Sequence, residues 1–503
     1  MMATGLEGHD RAMTIVVIDD DPTGSQTVHS CPLLLRWDLD TLRRGLRHPS
    51  PLLFVLANTR ALAPAAAAAR NREIVSALVA ALAAEAIPAE AVQLVSRGDS
   101  TLRGHGVLEP QVLAEVWQDK VGPVDATLHV PAFLPGGRTT VGGVHLLHGE
   151  PVHRSAFAQD RLFGYSTSDL AAWLEEKSAG AIAAASVARL NLELLDRADQ
   201  AGPEALVGWL AALEGNRPVV VDAERPEQLA ALGAAVEALR GRKRFLFRSA
   251  ASLLNGLVEG AGRPLGPQPR DAAGLAALRR REATGQALPG LVLVGSHVPL
   301  ADQQLAVLLA EERCVGLELP VARIARVLEG GSADLLLADL EREWLTRLRQ
   351  LLAAGCTPVL FTSRGELSFG VDAAAMERRL AFGMELARLM ARLVRGLLRG
   401  GMRGVAGSDA PAAPALGYLI SKGGITTGTV LAEGLGLEAV QLEGQLLPGL
   451  SLVRPMGVDP KPMGDCADPV AGLPILTFPG NLGDPSTLAE AWRWMEWGGA
   501  GNA

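Results

Sequence analysis

The sequence predicts an α/β protein of two domains, each a largely parallel sheet flanked by helices. Three observations carry this. Short apolar, often β-branched runs alternate with Ala-rich helical segments, the pattern of strand-helix-strand units. Each run closes on a cluster of polar residues, as strands do when their carboxyl ends form a site. The pattern also stops in a Gly-, Pro- and Arg-rich stretch and then restarts, and 503 residues are enough for two cores.

The first strand is Thr14 to Ile18, closing on Asp19-Asp20-Asp21-Pro22-Thr23-Gly24-Ser25-Gln26. Three adjacent carboxylates repel one another. Their uses are Mg²⁺ coordination, a general base with orienting partners, or capping of a following helix N-terminus. Leu52 to Ala57 is the next strand, followed by Asn58-Thr59-Arg60 and a helix over Ala65 to Ala86. Val92 to Val95 then delivers Ser96-Arg97-Gly98-Asp99-Ser100-Thr101-Leu102-Arg103-Gly104-His105. Two guanidiniums, a carboxylate, hydroxyls and an imidazole leave one strand end together. Arginine grips carboxylate or phosphate with paired hydrogen bonds, so this stretch reads as a site for a small, anionic, hydroxyl-rich molecule.

Ala126 to Val130 is a strand, and Gly136-Gly137-Arg138-Thr139-Thr140 after it offers a tight turn and a second anion clamp. His145, His148 and His153 are too loosely spaced for a metal set and read as surface or hydrogen-bonding histidines. Ser168 is the expected cap of the next helix. Pro218 to Asp222 and Arg244 to Phe247 are further strands, the second closing on Arg248-Ser249-Ala250. Residues 1–262 form the first domain, 263–288 a linker region, and 289–503 the second domain.

The second domain opens with the strand Gly290 to Val294, the turn Gly295-Ser296-His297 and a helix from about Ala301. Pro358 to Thr362 is a strand, Ala374 to Arg399 a long helix, and Gly404 to Pro414 a loop. Leu416 to Ser421 delivers Lys422-Gly423-Gly424-Ile425-Thr426-Thr427 ahead of a helix at Val430 to Leu435. A lysine, exposed glycine amides and hydroxyls have the composition of a phosphate cradle. It is not a P-loop, because the Gly-x-x-x-x-Gly-Lys-Ser/Thr spacing is absent. The last strand, Pro474 to Phe478, ends in Pro479-Gly480-Asn481-Leu482-Gly483, and a helix runs from Thr487 to Trp494.

Composition excludes several functions. Net charge is −8 and no basic block stands out, which argues against nucleic acid as the main partner. Cys31, Cys314, Cys356 and Cys466 lie far apart, so neither a disulfide frame nor structural zinc is expected. No apolar stretch reaches about 18 residues and no signal core precedes Met13, so no membrane association and a cytoplasmic location are expected. Nothing sets the oligomeric state; a homodimer is compatible with the sequence.

Together and in this order, these motifs resemble the four-carbon acid sugar kinase family nearly end to end. The segments that carry the likeness are Asp19 to His29, Ser96 to His105, Gly136 to Thr140, Gly295-Ser296, Ser421 to Thr427 and Phe478 to Gly483. The resemblance implies an N-terminal domain that holds the acid sugar and a C-terminal domain that holds ATP. The active site would lie in the cleft between them. It also implies ATP-dependent phosphorylation, with Mg²⁺, of a hydroxyl of threonate, erythronate or an oxo derivative. The expected substrate residues are Asp20, Asp21, Thr23, Arg97, Asp99, Ser100, Arg103, Gly137 and Arg138. Asp99 is the first choice of base and Asp20 the second. The expected nucleotide residues are Ser296, Lys422, Gly423, Gly424, Ile425, Thr426, Gly480 and Gly483. Other members read Ala-Asp-Asp-Leu-Thr-Gly where this chain has Asp19-Asp20-Asp21-Pro22-Thr23-Gly24, and often have Lys for Arg97 and Asn for His105. A divergent branch follows, with the sugar unassigned. Two alternatives remain: a sugar-acid isomerase or aldolase, and a nucleotide-dependent sugar-acid sensor.

Overall fold

The computed structural model describes residues 13–24, 27–160, 162–266, 269–328, 333–364, 373–400, 415–457 and 468–498. Ser25 and Gln26 of the aspartate motif, the 404–414 loop and Cys466 lie outside the described residues. Two compact units divide the chain, Met1–Gln268 and Pro269–Ala503. Among the described residues no helix is long and apolar enough to cross a membrane.

In the first unit the apolar runs become β1 (Thr14–Asp19), β2 (Cys31–Leu34), β3 (Leu52–Leu56), β4 (Val92–Arg97) and β5 (Ala126–Val130). A small antiparallel sheet follows: β6 (Arg138–Val141), β7 (Val144–Leu147) and β8 (Glu150–Pro151). The main sheet resumes with β9 (Ala188–Leu190), β10 (Arg217–Val221) and β11 (Phe245–Ser249). Its order is β2-β3-β1-β4-β11-β5-β10-β9, parallel throughout. Helices such as Pro64–Ala84 and Leu108–Lys120 connect these strands. Val16, Val17, Phe54, Val95, Leu128 and Phe247 are buried, as expected for strands apolar on both faces.

The β6–β7 hairpin turns on Gly142 and Gly143, at φ 59° and 78°. A two-residue turn with both φ positive matches the twist of a hairpin, and glycine adopts it freely. Asp222, at the end of β10, accepts both glycine amides, at 2.9 and 2.8 Å. Asp169, rather than Ser168, caps the helix Leu170–Lys177 by accepting from the Ala172 amide at 3.0 Å. The Ser168 hydroxyl instead accepts from the His153 amide at 2.9 Å.

The second unit contains β12 (Gly290–Val294), β13 (Cys314–Leu319), β14 (Thr357–Thr362), β15 (Tyr418–Lys422), β16 (Ala439–Leu447), β17 (Leu450–Pro455) and β18 (Ile475–Phe478). Their order is β13-β14-β12-β15-β18-β17-β16. β17 runs antiparallel to both β18 and β16; the other pairs are parallel. Part of the stretch expected to be a linker packs into this unit. Helix Ala272–Ala276 buries Leu275 and Ala276 in its core, and Arg279 pairs with Glu496 at 2.8 Å. The helix after β15 starts at Gly424, six residues before the expected Val430. Gly423, at φ 114°, turns the chain directly behind Lys422.

Trp492 is fully buried at the centre of this core, its indole N–H donating to Thr357 Oγ1 at 3.1 Å. Trp492→Ala should cost about 3–5 kcal/mol in chemical denaturation followed on a second-unit probe. A loss below about 1 kcal/mol would contradict this packing.

Candidate functional site

Parallel strands place their carboxyl ends on one edge, and the register aligns five of them in a row. Leu56, Asp19, Arg97, Ser249 and Val130 are successive partners on β3, β1, β4, β11 and β5. After β1 the chain builds β2 and β3 to one side, then returns to the other side as β4. Such a reversal is where open α/β sheets form a ligand crevice. Asp20, Asp21, Arg60, Asp99, Arg103 and Arg138 all leave this edge.

Asp19 and Asp20 are each 1% exposed, and buried carboxylates need cationic partners. Arg60 binds two of the acids: Nη2 donates to Asp20 Oδ1 at 2.6 Å and Nη1 to Asp21 Oδ2 at 3.0 Å. Arg97 Nη1 donates to Asp19 Oδ1 at 3.3 Å and lies 3.9 Å from Asp20. Arg248 lies 3.9 Å from Asp20 and is held by Glu109 at 2.5 Å and Ser96 Oγ at 2.8 Å. The three acids are thus compensated by arginines rather than left open for a cation. The expected helix capping is not found: among the described residues the next element is β2, and Asp21 instead closes a turn by accepting from the Thr23 amide at 2.8 Å and its hydroxyl at 2.5 Å.

Burial pushes the Asp19 carboxyl up to about 7, opposed by Arg97 and reinforced by Asp20. Burial would raise Asp21 too, but Arg60 and the Thr23 hydrogen bonds outweigh it and hold the group low. Gly24 and Gly104 press onto this centre. A Cβ at Gly24 would stand 2.1 Å from Asp19 Oδ2, and one at Gly104 2.9 Å from Asp20 Oδ2.

The loop after β4 folds over the centre. Asp99 Oδ2 accepts from Thr101 Oγ1 at 2.6 Å and from Arg103 Nε at 2.7 Å. Burial works against its charge, but Arg103, Arg60 and Thr101 hold it far below the usual carboxylate range. The loop is anchored from outside: His145 Nε2 hydrogen-bonds Ser100 O at 2.7 Å, and Tyr165 donates its hydroxyl to Thr101 O at 2.7 Å. Of the two expectations for His145, surface or hydrogen-bonding, the second holds: it is a buried brace. Arg138, 5.5 Å over the Phe133 ring, forms no ion pair among the described residues and leaves its buried Nε without a partner. Burial lowers its pKa, with Asp99 opposing and Arg103 adding to the effect.

The structure brings Asp20, Asp21, Asp99, Arg103 and Arg138 into one electrostatic cluster. Thr23 serves the Asp21 turn, Ser100 supplies a carbonyl to His145, and Gly137 (φ 68°) turns the chain into β6. Arg97 points inward, 4% exposed. Sequence reasoning missed Arg60, Arg248 and Glu109. The signal for the first two was their position, since each stands at or just past the end of an apolar run.

In the second unit Val294, Lys422 and Phe478 form the corresponding row on β12, β15 and β18. The loops beyond converge on Ser296: a Cβ at Gly480 would lie 2.6 Å from its Oγ, and one at Gly423 3.2 Å from its amide nitrogen. Lys422 is buried with no carboxylate partner among the described residues. Its Nζ donates to the carbonyls of Pro479 and Gly480 at 3.0 and 3.2 Å and lies 4.0 Å from the Phe478 ring centre. Burial, then Arg364, brings its pKa down to about 7. Arg364 stands just past β14 and was not anticipated. It donates to Ser296 O at 2.6 Å and pairs with Asp302 at 3.0 Å, while Nε and Nη2 remain buried without partners.

Gly424, Ile425 and Thr426 form the first turn of the following helix. Thr427 turns back to Ser421 O at 3.0 Å. Gly483 lies farther along, in the turn ahead of the last helix Thr487–Trp497, where a Cβ would meet Thr487 Oγ1 at 2.4 Å. Among the described residues no group of three His, Cys, Asp or Glu side chains is placed to hold a metal ion.

Two family models match the chain. A sugar-binding N-terminal domain covers residues 15–257, and a nucleotide-binding C-terminal domain covers 291–488. A D-threonate kinase of Cupriavidus necator is 34% identical over 185 residues, 36% of this chain and 38% of that protein. A D-erythronate kinase of Heliobacterium modesticaldum is 28% identical over 226 residues, 43% of this chain and 46% of that protein. The chain therefore matches less than half the length of either relative. Solved proteins from Haemophilus influenzae (TM-score 0.58, 14% identity, 95% of this chain and 100% of that one) and Salmonella typhimurium LT2 (TM-score 0.62, 18% identity, 95% and 99%) share the fold.

A carboxyl raised above its unfolded pKa binds its proton more tightly in the folded chain. The stabilisation from Asp19 is thus complete at acid pH and lost as pH rises through about 7. Relative to wild type, Asp19→Asn should gain stability between pH 4 and 7, by at most about 1.4 kcal/mol per pH unit. Denaturation midpoints across that range check it; a pH-independent difference would refute it.

Proposed function

This chain belongs to the four-carbon acid sugar kinase family, and on that footing we propose that it transfers the γ-phosphate of ATP to a hydroxyl of a four-carbon acid sugar. What supports the reading is that one chain carries two unlike strand-end clusters. The first unit offers Asp20, Asp21 and Asp99 for hydroxyls and Arg138, with no ion-pair partner among the described residues, for a carboxylate. The second offers the buried Lys422 and the half-buried Arg364, whose open valences suit phosphate oxygens.

In this reading Arg138, with Arg103 beside it, grips the sugar carboxylate. Asp99 accepts a hydrogen bond from the attacking hydroxyl and aims it. Its depressed pKa makes it a weak base, but phosphoryl transfer depends chiefly on alignment and charge neutralisation. Asp20, fixed by Arg60, holds a second hydroxyl. Ser296, Gly423, Gly424, Ile425, Thr426, Gly480 and Gly483 shape the nucleotide site around Lys422. The described residues do not form a cation cage, so they suit a Mg²⁺ carried on the nucleotide. Such an ion would neutralise phosphate oxygens. The reading also carries the assignment of residues 1–262 and 289–503 as acceptor and donor domains. Transfer requires the two sites to meet, with water excluded.

A coupled ADP-release screen over threonate, erythronate and their oxo derivatives tests the proposal. Acid-dependent ADP release would support the kinase reading over an isomerase, aldolase or sensor; its absence with every acid would sink it. Asp99→Ala should lower kcat by about 100-fold or more, and near-normal turnover would remove Asp99 from the chemistry. Lys422 is charged below about pH 7 and increasingly neutral above it, so ATP should bind more weakly as pH rises from 6 to 8.5. Lys422→Met should bind weakly throughout and lose that part of the pH dependence. Calorimetric titration at several pH values reads both.

A further inference from the structure

A cavity of about 20 Å³ lies beside Asp99, bounded by His129, Trp173, Arg248 and the apolar side chains of Leu102 and Leu170. That is room for one water-sized group. His129 is the fourth residue of β5, and Trp173 comes from the helix Leu170–Lys177. They are 5% and 3% exposed. Each leaves a buried polar atom without a partner: Nδ1 of His129 and the indole N–H of Trp173.

Two residues that line one small cavity each carry an orphaned polar group, and such groups call for an occupant because they are costly to leave unpaired when buried. The packing keeps them there. The Trp173 ring occupies the space a side chain at Gly106 would need, since a Cβ there would fall 2.5 Å from its Cη2. His129 stands beside Arg248 in the sheet register. Burial, then Arg248, lowers its pKa to about 3, so its ring is neutral. Arg248 is itself engaged by Glu109 and Ser96. The cavity therefore pairs a neutral donor with a neutral ring nitrogen. Arg103 also lines it, with its Nε held by Asp99 at 2.7 Å. A hydroxyl matches: it accepts from the Trp173 N–H and donates to His129 Nδ1.

We propose that this pocket receives one non-reacting hydroxyl of the acid sugar, making His129 and Trp173 the residues that read the configuration of a single carbon. The assignment rests on the acid-sugar reading above. Threonic and erythronic acids differ at one such centre, so a one-hydroxyl pocket on a fixed strand and helix can separate them. A site built to hydrogen-bond a hydroxyl discriminates strongly against ligands that leave its buried groups unpaired.

The test uses the whole chain and four variants: Trp173→Phe, His129→Leu, His129→Asn and, as a control at an exposed position near His129, Gln111→Ala. The substrates are both enantiomers of threonate and erythronate and the corresponding monodeoxy acids. The readouts are kcat/KM by ADP release and binding by calorimetry. Wild type should prefer one stereoisomer, and removing one particular hydroxyl should cost about tenfold or more. Trp173→Phe and His129→Leu should abolish that penalty and the stereochemical preference while the thermal midpoint holds. His129→Asn, which keeps a polar group near Nδ1, should restore part of both. Equal losses on all acids, or none, would mean that a structural water fills the cavity and would overturn the proposal. Should no acid be phosphorylated, calorimetry still decides: stereoselective binding lost in the variants keeps the pocket while the kinase reading falls. Unselective or absent binding removes the pocket.

Discussion

Three adjacent carboxylates at the end of β1, two of them buried and the third half-buried, can stand together only because three arginines reach them from elsewhere. Arg60 comes from beyond β3, Arg97 from the end of β4 and Arg248 from β11. The neighbouring strands must therefore stay in register, since a shift of one residue would send these side chains to the opposite face. Glu109 extends the network by fixing Arg248, and glycines at 24 and 104 leave the space it needs. Sheet order, loop course and charge balance at this edge are one constraint. Removing a single arginine would strand a buried negative charge, which is costly in any fold.

The second unit places charge differently. Its row of strand ends carries a lysine held by carbonyls and an arginine with two open nitrogens. The first edge pairs its acids with arginines and leaves Arg138 without an ion pair among the described residues; the second carries a lysine with no carboxylate partner there and an arginine only partly engaged, by Asp302. In the proposed reading the former takes the hydroxyl-rich acceptor and the latter the polyphosphate.

Much of this could be read from the sequence, because parallel strands buried on both faces appear as uninterrupted apolar runs. The polar clusters behind Ile18, Val95, Ile420 and Phe478 stand at the carboxyl ends of β1, β4, β15 and β18. What could not be read was direction. Arg97 and Arg103 look alike in the chain, yet one turns into the protein to face Asp19 and the other lies along the loop beside Asp99. Arg60, Arg248 and Arg364 matter through partners that come from other elements, and local sequence carries no trace of that. The early helix start at Gly424 depends on the φ of Gly423. The Gly142-Gly143 hairpin, by contrast, was a local signal that could have been read.

The loop from Asp99 to Arg103 is held on all sides. His145 and Tyr165 grip consecutive carbonyls from separate segments, and Thr101 and Arg103 fix the carboxylate within it. Leu102, in the left-handed region at φ 64°, is kept there by burial of its side chain. Such a loop is a template rather than a lid. The entropy of ordering it is lost when the chain folds, not when a ligand arrives, so more of each contact appears as affinity. Selection at this surface is then decided by shape at first encounter, and a mismatched ligand finds no softer arrangement to settle into.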